Sequence, residues 1–240
     1  MCTATYLPLS SNGFILTHSR DEKAIRPAAY PPRAVSIGGQ SVTFPRDPQG
    51  RGTWIAQSAD LTVCLLNGAF GPHQPQPPYK HSRGLVVLDV FDYVSVDSFI
   101  NQYSFTGIEP FTLLLAETGR LLELRWTGER VFTNEKESTK PHIWSSVTLY
   151  APDVIGKREQ WFNTWWRQQS SPSVNDIRGF HQSAGDGDPE NDLRMNRHGE
   201  MYTLSLTSIW HDGRRVEMIY EDFVQNTLTQ QPITPSHAIV

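Results

Sequence analysis

An α+β fold of antiparallel strands carrying a few helices is what this sequence predicts, on three observations. Strand-like segments come in two groups, separated by tight Gly- and Pro-bearing turns too short for parallel crossovers. One long amphipathic helix stands between the second group and a final hairpin. No segment repeats at a fixed period. Two stacked sheets with helices outside satisfy this pattern, as do other α+β layouts.

Taken in order, Thr3 to Leu7 and Gly13 to Thr17 read as strands joined by the turn Ser10-Ser11-Asn12-Gly13. Arg26 to Arg33 is proline-rich and reads as extended loop. Ser41 to Phe44, Thr53 to Ala56 and Leu61 to Leu66 read as further strands, with Asp47-Pro48-Gln49-Gly50-Arg51-Gly52 as a separator. Pro72 to Pro78 holds four prolines and reads as loop. Leu85 to Tyr93 reads as a helix with Ser82 near its start, and Asp97 as the N-cap of a short helix through Tyr103. Phe111 to Ala116, Leu121 to Trp126 and Val131 to Thr133 form the second strand group. Pro152 opens the main helix, which runs to Gln169 before Ser171-Pro172 stops it. Val154, Ile155, Trp161, Phe162, Trp165 and Trp166 recur along it near helical spacing; its tryptophans read as core and rim packing, with a ligand groove as the alternative. Val174 to Gln182 adds a turn or two of helix, and Ser183 to Asn191 reads as a mobile polar loop. Tyr202 to Ile209 and Arg215 to Tyr220 close as a hairpin around Asp212-Gly213. The tail beyond Asn226 shows no packing pattern and is expected to fray.

The 240 residues are 38% hydrophobic and 19% charged, enough apolar material for a core, and are expected to form one domain spanning 1–240. Lys and Arg number 21 against 25 Asp and Glu, a net charge of −4, so the basic footprint of a nucleic-acid binder is missing. Two cysteines exclude a disulfide scaffold and a cysteine-rich zinc module. The eight histidines show no H-E-x-x-H pairing, the glycines form neither G-x-G-x-x-G nor a P-loop, and Ser145-Ser146 lacks a G-x-S-x-G elbow. No metal and no cofactor are therefore expected. No apolar run approaches the ~20 residues of a membrane span, and no signal peptide is visible, so a cytoplasmic protein is expected. Oligomeric state is not legible.

Chemistry concentrates at the start. Cys2 follows Met1. Removal of Met1 leaves a thiol and a free α-amine on one carbon, and the amine, with a pKa of about 7.7–8.0, can act as general base for its own thiol. Retention of Met1 turns that nitrogen into an amide; Cys2 is then an ordinary small residue heading the first strand. His18-Ser19-Arg20-Asp21-Glu22 sits just past the second strand. If the first two strands form a hairpin, Arg20 returns to Cys2 and favours its thiolate, and Asp21 can orient the amine; otherwise the segment is a charged surface loop. Asn67-Gly68 reads locally as a hairpin turn, or as a strand end lining an oxyanion hole. Cys64, in an apolar run, reads as a buried small hydrophobe.

Met1-Cys2-Thr3, Ser19-Arg20-Asp21-Glu22, Gly52-Thr53-Trp54-Ile55 and Leu65-Leu66-Asn67-Gly68 occur in that order, and together resemble the NRDE family, also called the transport and Golgi organization family. Pro141-His142-Ile143-Trp144-Ser145-Ser146, followed by Lys157-Arg158 and Trp161, looks like its bacterial members. Where the family carries Asn-Arg-Asp-Glu, this chain has Ser19 at the first position. The resemblance implies an N-terminal nucleophile hydrolase scaffold, a four-layer αββα sandwich close to the penicillin V acylase and bile-salt hydrolase branch. It implies Cys2 as nucleophile on a non-peptide amide C–N bond, Arg20 supporting the thiolate, Asp21 orienting the amine, and the Asn67 backbone N–H holding the oxyanion. Those hydrolases place a second asparagine in the hole, where the matching stretch here is Ser145-Ser146. They also use a further arginine, for which Arg194 and Arg197 are candidates. The partner is then a small-molecule substrate with an acyl or aromatic arm. Family links to lipid homeostasis and haem handling make a non-catalytic protein binding a lipid or haem the alternative.

Overall fold

The structure, a computed structural model, describes residues 2–9 and 12–233. Among these residues the fold is α+β, with two antiparallel sheets and helices on both outer faces. The first sheet contains β1 (Cys2–Pro8), β2 (Phe14–Lys23), β10 (His142–Ser145), β12 (Met201–His211), β13 (Val216–Asp222) and β14 (Thr227–Ile233). They lie in the order β10-β1-β2-β12-β13-β14, with the short β11 (Asn196–Arg197) on β12. The second runs β3 (Tyr30–Ile37), β4 (Gln40–Arg46), β5 (Ile55–Gln57), β6 (Leu61–Asn67), β7 (Phe111–Glu117), β8 (Arg120–Trp126), β9 (Val131–Lys136), in chain order. Helices α1 (Arg83–Asp89) and α2 (Val96–Gln102), linked by a 3₁₀ turn at Val90–Asp92, cover the second sheet; α3 (Pro152–Arg167) and α4 (Val174–Ser183) cover the first.

The period-2 alternation of strands sorts residues into three buried layers. In β1, Cys2, Ala4 and Tyr6 face the second sheet, joining Phe14, Leu16, Ile55, Cys64 and Leu66. Leu7 faces α3 and α4 with Ile15, Phe162, Ile177 and Phe180. On the far side Val86, Val87, Phe91 and Phe99 pack on Val63, Leu113, Leu124 and Trp126. The order is helix, sheet, sheet, helix, the αββα sandwich that the resemblance implied.

Several elements differ from the local reading. β2 continues through His18-Ser19-Arg20-Asp21-Glu22 to Lys23, so this segment is strand and not a charged loop. A central strand tolerates such residues because β1 and β12 flank it on both sides and the side chains of His18, Ser19, Arg20 and Asp21 find buried partners, while Glu22 and Lys23 reach its open end. Tyr30–Ile37 is a strand despite Pro31 and Pro32; it is a sheet edge, and its register slips between Tyr30 and Arg33, where prolines are allowed. The N-cap of α2 is Ser95, whose hydroxyl and that of Ser98 cap each other's backbone, while Asp97 lies in the first turn and pairs with Arg120 at 2.8 Å. Asn67-Gly68 is no hairpin turn: β6 pairs with β5 and β7, and the chain leaves for α1. Gly68 has φ +83°, and a Cβ there would stand 2.6 Å from Val147 Cγ2. The segment beyond Ser183 is tied down, since Arg158 Nη2 donates to Asn191 O (3.0 Å) and Asp192 O (2.7 Å). From Thr227 to Ile233 the tail forms β14 on β13 instead of fraying, and the part of it beyond Ile233 lies outside the described residues. The Ser10-Ser11 turn and Met1 lie outside the described residues. No described helix is long and apolar enough to cross a membrane.

Candidate active site

Cys2 begins β1 and pairs across to Arg20 on β2, so the hairpin returns Arg20 to the thiol's own face. On the opposite sheet, β6 ends at Asn67. Cys2, Arg20, Trp54 and Asn67 line one cavity of about 580 Å³ at the end of the sandwich where β1 starts and β6 stops. Cys2 itself is 4% exposed. Burial pushes its thiol up; the Asp21 carboxylate acts the same way and Arg20 acts against it.

Arg20 is not a bare charge. Its Nη2 donates to Asp47 Oδ2 at 2.5 Å, and its guanidinium lies 4.4 Å from the Trp54 ring centroid. Asp47 also takes Arg26 Nε at 3.0 Å and, through Oδ1, the backbone N–H groups of Gln49 and Gly50. Burial opposes ionisation of Asp47, but Gly50 and the two arginines outweigh it and hold the carboxyl below the usual range. The separator turn at Asp47-Pro48 thus serves to anchor Arg20. On the other wall, Glu109 takes Arg83 at 3.0 Å and His73 at 3.1 Å. With Glu22 and Lys23 also lining it, the cavity is richer in charge than the aromatic content of the chain implies.

Asp21 and Ser19 point to the other face of β2. Asp21 accepts from Tyr150 OH (2.7 Å) and Thr203 Oγ1 (2.7 Å), and burial raises its carboxyl pKa while Arg158 and these hydroxyls oppose the rise. Its charge nevertheless reaches the Cys2 thiol. Ser19 Oγ is hydrogen-bonded to His181 Nδ1 (2.8 Å), and Thr5 Oγ1 to its Nε2 (2.8 Å). The departure from the family's asparagine therefore falls under α4, away from the cavity. His18, on the inner face, donates from Nε2 to Leu65 O (3.2 Å). Burial pushes both imidazoles down to about 3, so both are neutral.

The structure joins Cys2, Arg20 and Asn67 in one cavity. It does not bring Arg194 or Arg197 to its walls: Arg194 stacks on Phe223 (4.3 Å), and Arg197 donates to the carbonyls of Glu190 and Leu149. Behind the nucleophile's strand stands instead Arg158, which is wholly buried, lies 3.6 Å from the Tyr150 ring centroid and donates to Thr3 Oγ1. Its sequence signal was a charge inside an apolar stripe: Val154, Arg158 and Phe162 recur at i, i+4 and i+8 on the buried face of α3. Neither Ser145 nor Ser146 supplies an amide; the Ser146 hydroxyl donates to Asn67 O at 2.7 Å. Trp161 and Trp165 pack beside Phe162 and Phe180 and also border a groove of about 550 Å³ between α3 and α4, far from this chemistry.

Fold and cavity together define an αββα protein with a cysteine-lined cavity at the head of its sandwich. The chain belongs to the Transport and Golgi organisation 2 family, which residues 1–212 match. No curated protein matches it.

Proposed function

We propose that the chain, acting as one domain, is a cysteine N-terminal nucleophile hydrolase that cleaves a non-peptide amide C–N bond. One observation carries this reading: Cys2 and Asn67, from opposite sheets, line the same cavity, with Arg20 beside the thiol. After loss of Met1, Cys2 Sγ attacks the amide carbonyl and a C–S bond forms. The α-amine, oriented by Asp21, receives the thiol proton. The Asn67 N–H stabilises the oxyanion. Collapse breaks the C–N bond, and the proton passes from the amine to the leaving nitrogen. Water then attacks the thioester, gives its proton to the amine, and releases a carboxylic acid while the proton returns to sulfur. The charged walls favour a compact polar amide over a long acyl chain.

A second reading, a non-catalytic binder of a lipid or haem, draws support from the raised thiol pKa of Cys2 and from serines where a second asparagine is expected. The test begins with the intact mass, which reports Met1, and with iodoacetamide labelling, which reports Cys2. Loss of Met1, labelling at Cys2 that climbs as pH rises above neutral, and an amide turnover abolished by Cys2→Ala are expected. Undiminished turnover in Cys2→Ala overturns the mechanism. A retained Met1 with an inert thiol, and saturable haem or acyl-lipid binding, favours the binder.

A further inference from the structure

Ser146 is 1% exposed and spends its N–H and its hydroxyl on two parts of the proposed site, while its carbonyl closes a turn with Leu149 and Tyr150. Its N–H donates to Cys2 O at 2.9 Å, its hydroxyl donates to Asn67 O at 2.7 Å, and its carbonyl accepts the N–H of Tyr150 at 3.1 Å. Tyr150 in turn donates from its hydroxyl to Asp21. Thr148 Oγ1, 3.1 Å from the Ser146 hydroxyl, helps orient it. The nucleophile stands on one sheet and the oxyanion donor on the other, and apolar packing between sheets does not by itself set their separation to fractions of an ångström. Asn67 is also the last residue of its strand; the glycine after it, at positive φ, is tied within its own sheet by Pro110 O (3.0 Å) and Thr112 Oγ1 (2.8 Å), and the Ser146 hydroxyl ties Asn67 toward the other sheet.

We infer that Ser146 is a positioning residue: it clamps the head of β1 to the end of β6 and so sets the gap between the Cys2 sulfur and the Asn67 peptide. This rests on the hydrolase reading above. Removing its hydroxyl takes that donor from the carbonyl of half-buried Asn67 and lets the strand end shift. The thiol keeps its own surroundings.

Two reactions of Cys2 separate this role from general loosening. Iodoacetamide alkylates sulfur by displacing iodide, with no oxyanion. p-Nitrophenyl acetate acylates it: the C–S bond forms through a tetrahedral oxyanion, the C–O bond breaks, p-nitrophenolate leaves and the thiol proton passes to the amine. In protein lacking Met1, Ser146→Ala is expected to acylate about tenfold more slowly, as small misplacements of reacting groups do. Its alkylation rate is expected to stay at the wild-type value. Ser146→Thr keeps a hydroxyl and should restore acylation, with thermal melting confirming that both variants fold. Wild-type acylation in Ser146→Ala, or equal slowing of both reactions, overturns the positioning role and leaves the hydrolase reading standing. A wild-type Cys2 that gains no acetyl group at all overturns both.

Discussion

The helical layers on the two sides of the sandwich are built from different chemistry. Under α1 and α2, Val86, Val87, Phe91 and Phe99 meet Val63, Leu113, Leu124 and Trp126. Under α3 and α4, Phe162, Ile177 and Phe180 share the interface with buried Arg158, Arg178 and His181. Arg178 reaches Ser208 Oγ (3.2 Å), Ile219 O (3.2 Å) and Glu221 (2.5 Å). His181 ties Thr5 to Ser19, and Arg158 holds Thr3. Apolar packing asks only for the right volume and pattern, whereas buried polar groups need specific partners at specific distances. The directional layer lies behind β1 and β2, the strands that carry Cys2, Arg20 and Asp21. Its effect is to fix those strands from the back while the cavity opens at the front.

The largest break in this comparison is expected from Arg158→Met. It removes the donor to Thr3 and to two backbone carbonyls and leaves Asp21 without its buried counter-charge, a loss of about 3–5 kcal/mol in urea unfolding. It should also shift the pH profile of Cys2 alkylation. Leu113→Ala in the apolar layer should lose about 3 kcal/mol and leave that profile untouched. An Arg158→Met protein as stable as the parent, with an unchanged profile, would show that the polar layer is only another way of filling space.

Acid should separate the layers next. His18 and His181 stay neutral in the folded protein down to about pH 3, while the unfolded chain takes up protons near pH 6.5. Stability is therefore fully present above about pH 6.5 and falls progressively as pH drops toward 3. Urea titrations at pH 7, 5.5 and 4.5 should show this loss, and His181→Gln should make it shallower. An equally steep decline in the variant would remove His181 from the explanation.

The smallest effect is expected at Ser19. Ser19→Ala forfeits one buried hydrogen bond to His181, about 1 kcal/mol. Cys2 alkylation should not change, because that side chain faces α4 and not the cavity. A changed labelling rate would mean that the first position of the four-residue motif acts on the nucleophile after all.

Much of this was legible along the chain because it depends on neighbours in sequence. Strands with alternating burial, the proline that opens α3 and the glycines that bound turns are local decisions, and they predicted antiparallel strands with a few helices, while the choice of a two-sheet sandwich came from the family resemblance. That Cys2, Arg20 and Asn67 deserved a place together was also legible, the first from its place after Met1 and the others from short motifs, and the fold brings all three to one cavity. Local reading failed where partners come from afar. The prolines of β3 hid a strand that survives because it is an edge. The polar end of β2 looked like a loop because Tyr150 and Thr203, which satisfy Asp21, and His181, which takes Ser19, lie more than a hundred residues away. β14 carries little apolar signal and exists because β13 offers it an edge.

The sequence by itself determined the class of fold, the period of each strand, and the presence of a cysteine heading the first strand with an arginine one hairpin away. Tertiary structure decided that Arg20 is shared with Asp47, that Asp21 faces the opposite side of its strand from Arg20, that Arg158 rather than Arg194 or Arg197 stands behind β1, and that Ser146 links Cys2 to Asn67. The physical reason is range. Periodicity and turn chemistry act over a few residues, but a buried charge or hydroxyl is defined by whichever group the whole fold brings within hydrogen-bond distance.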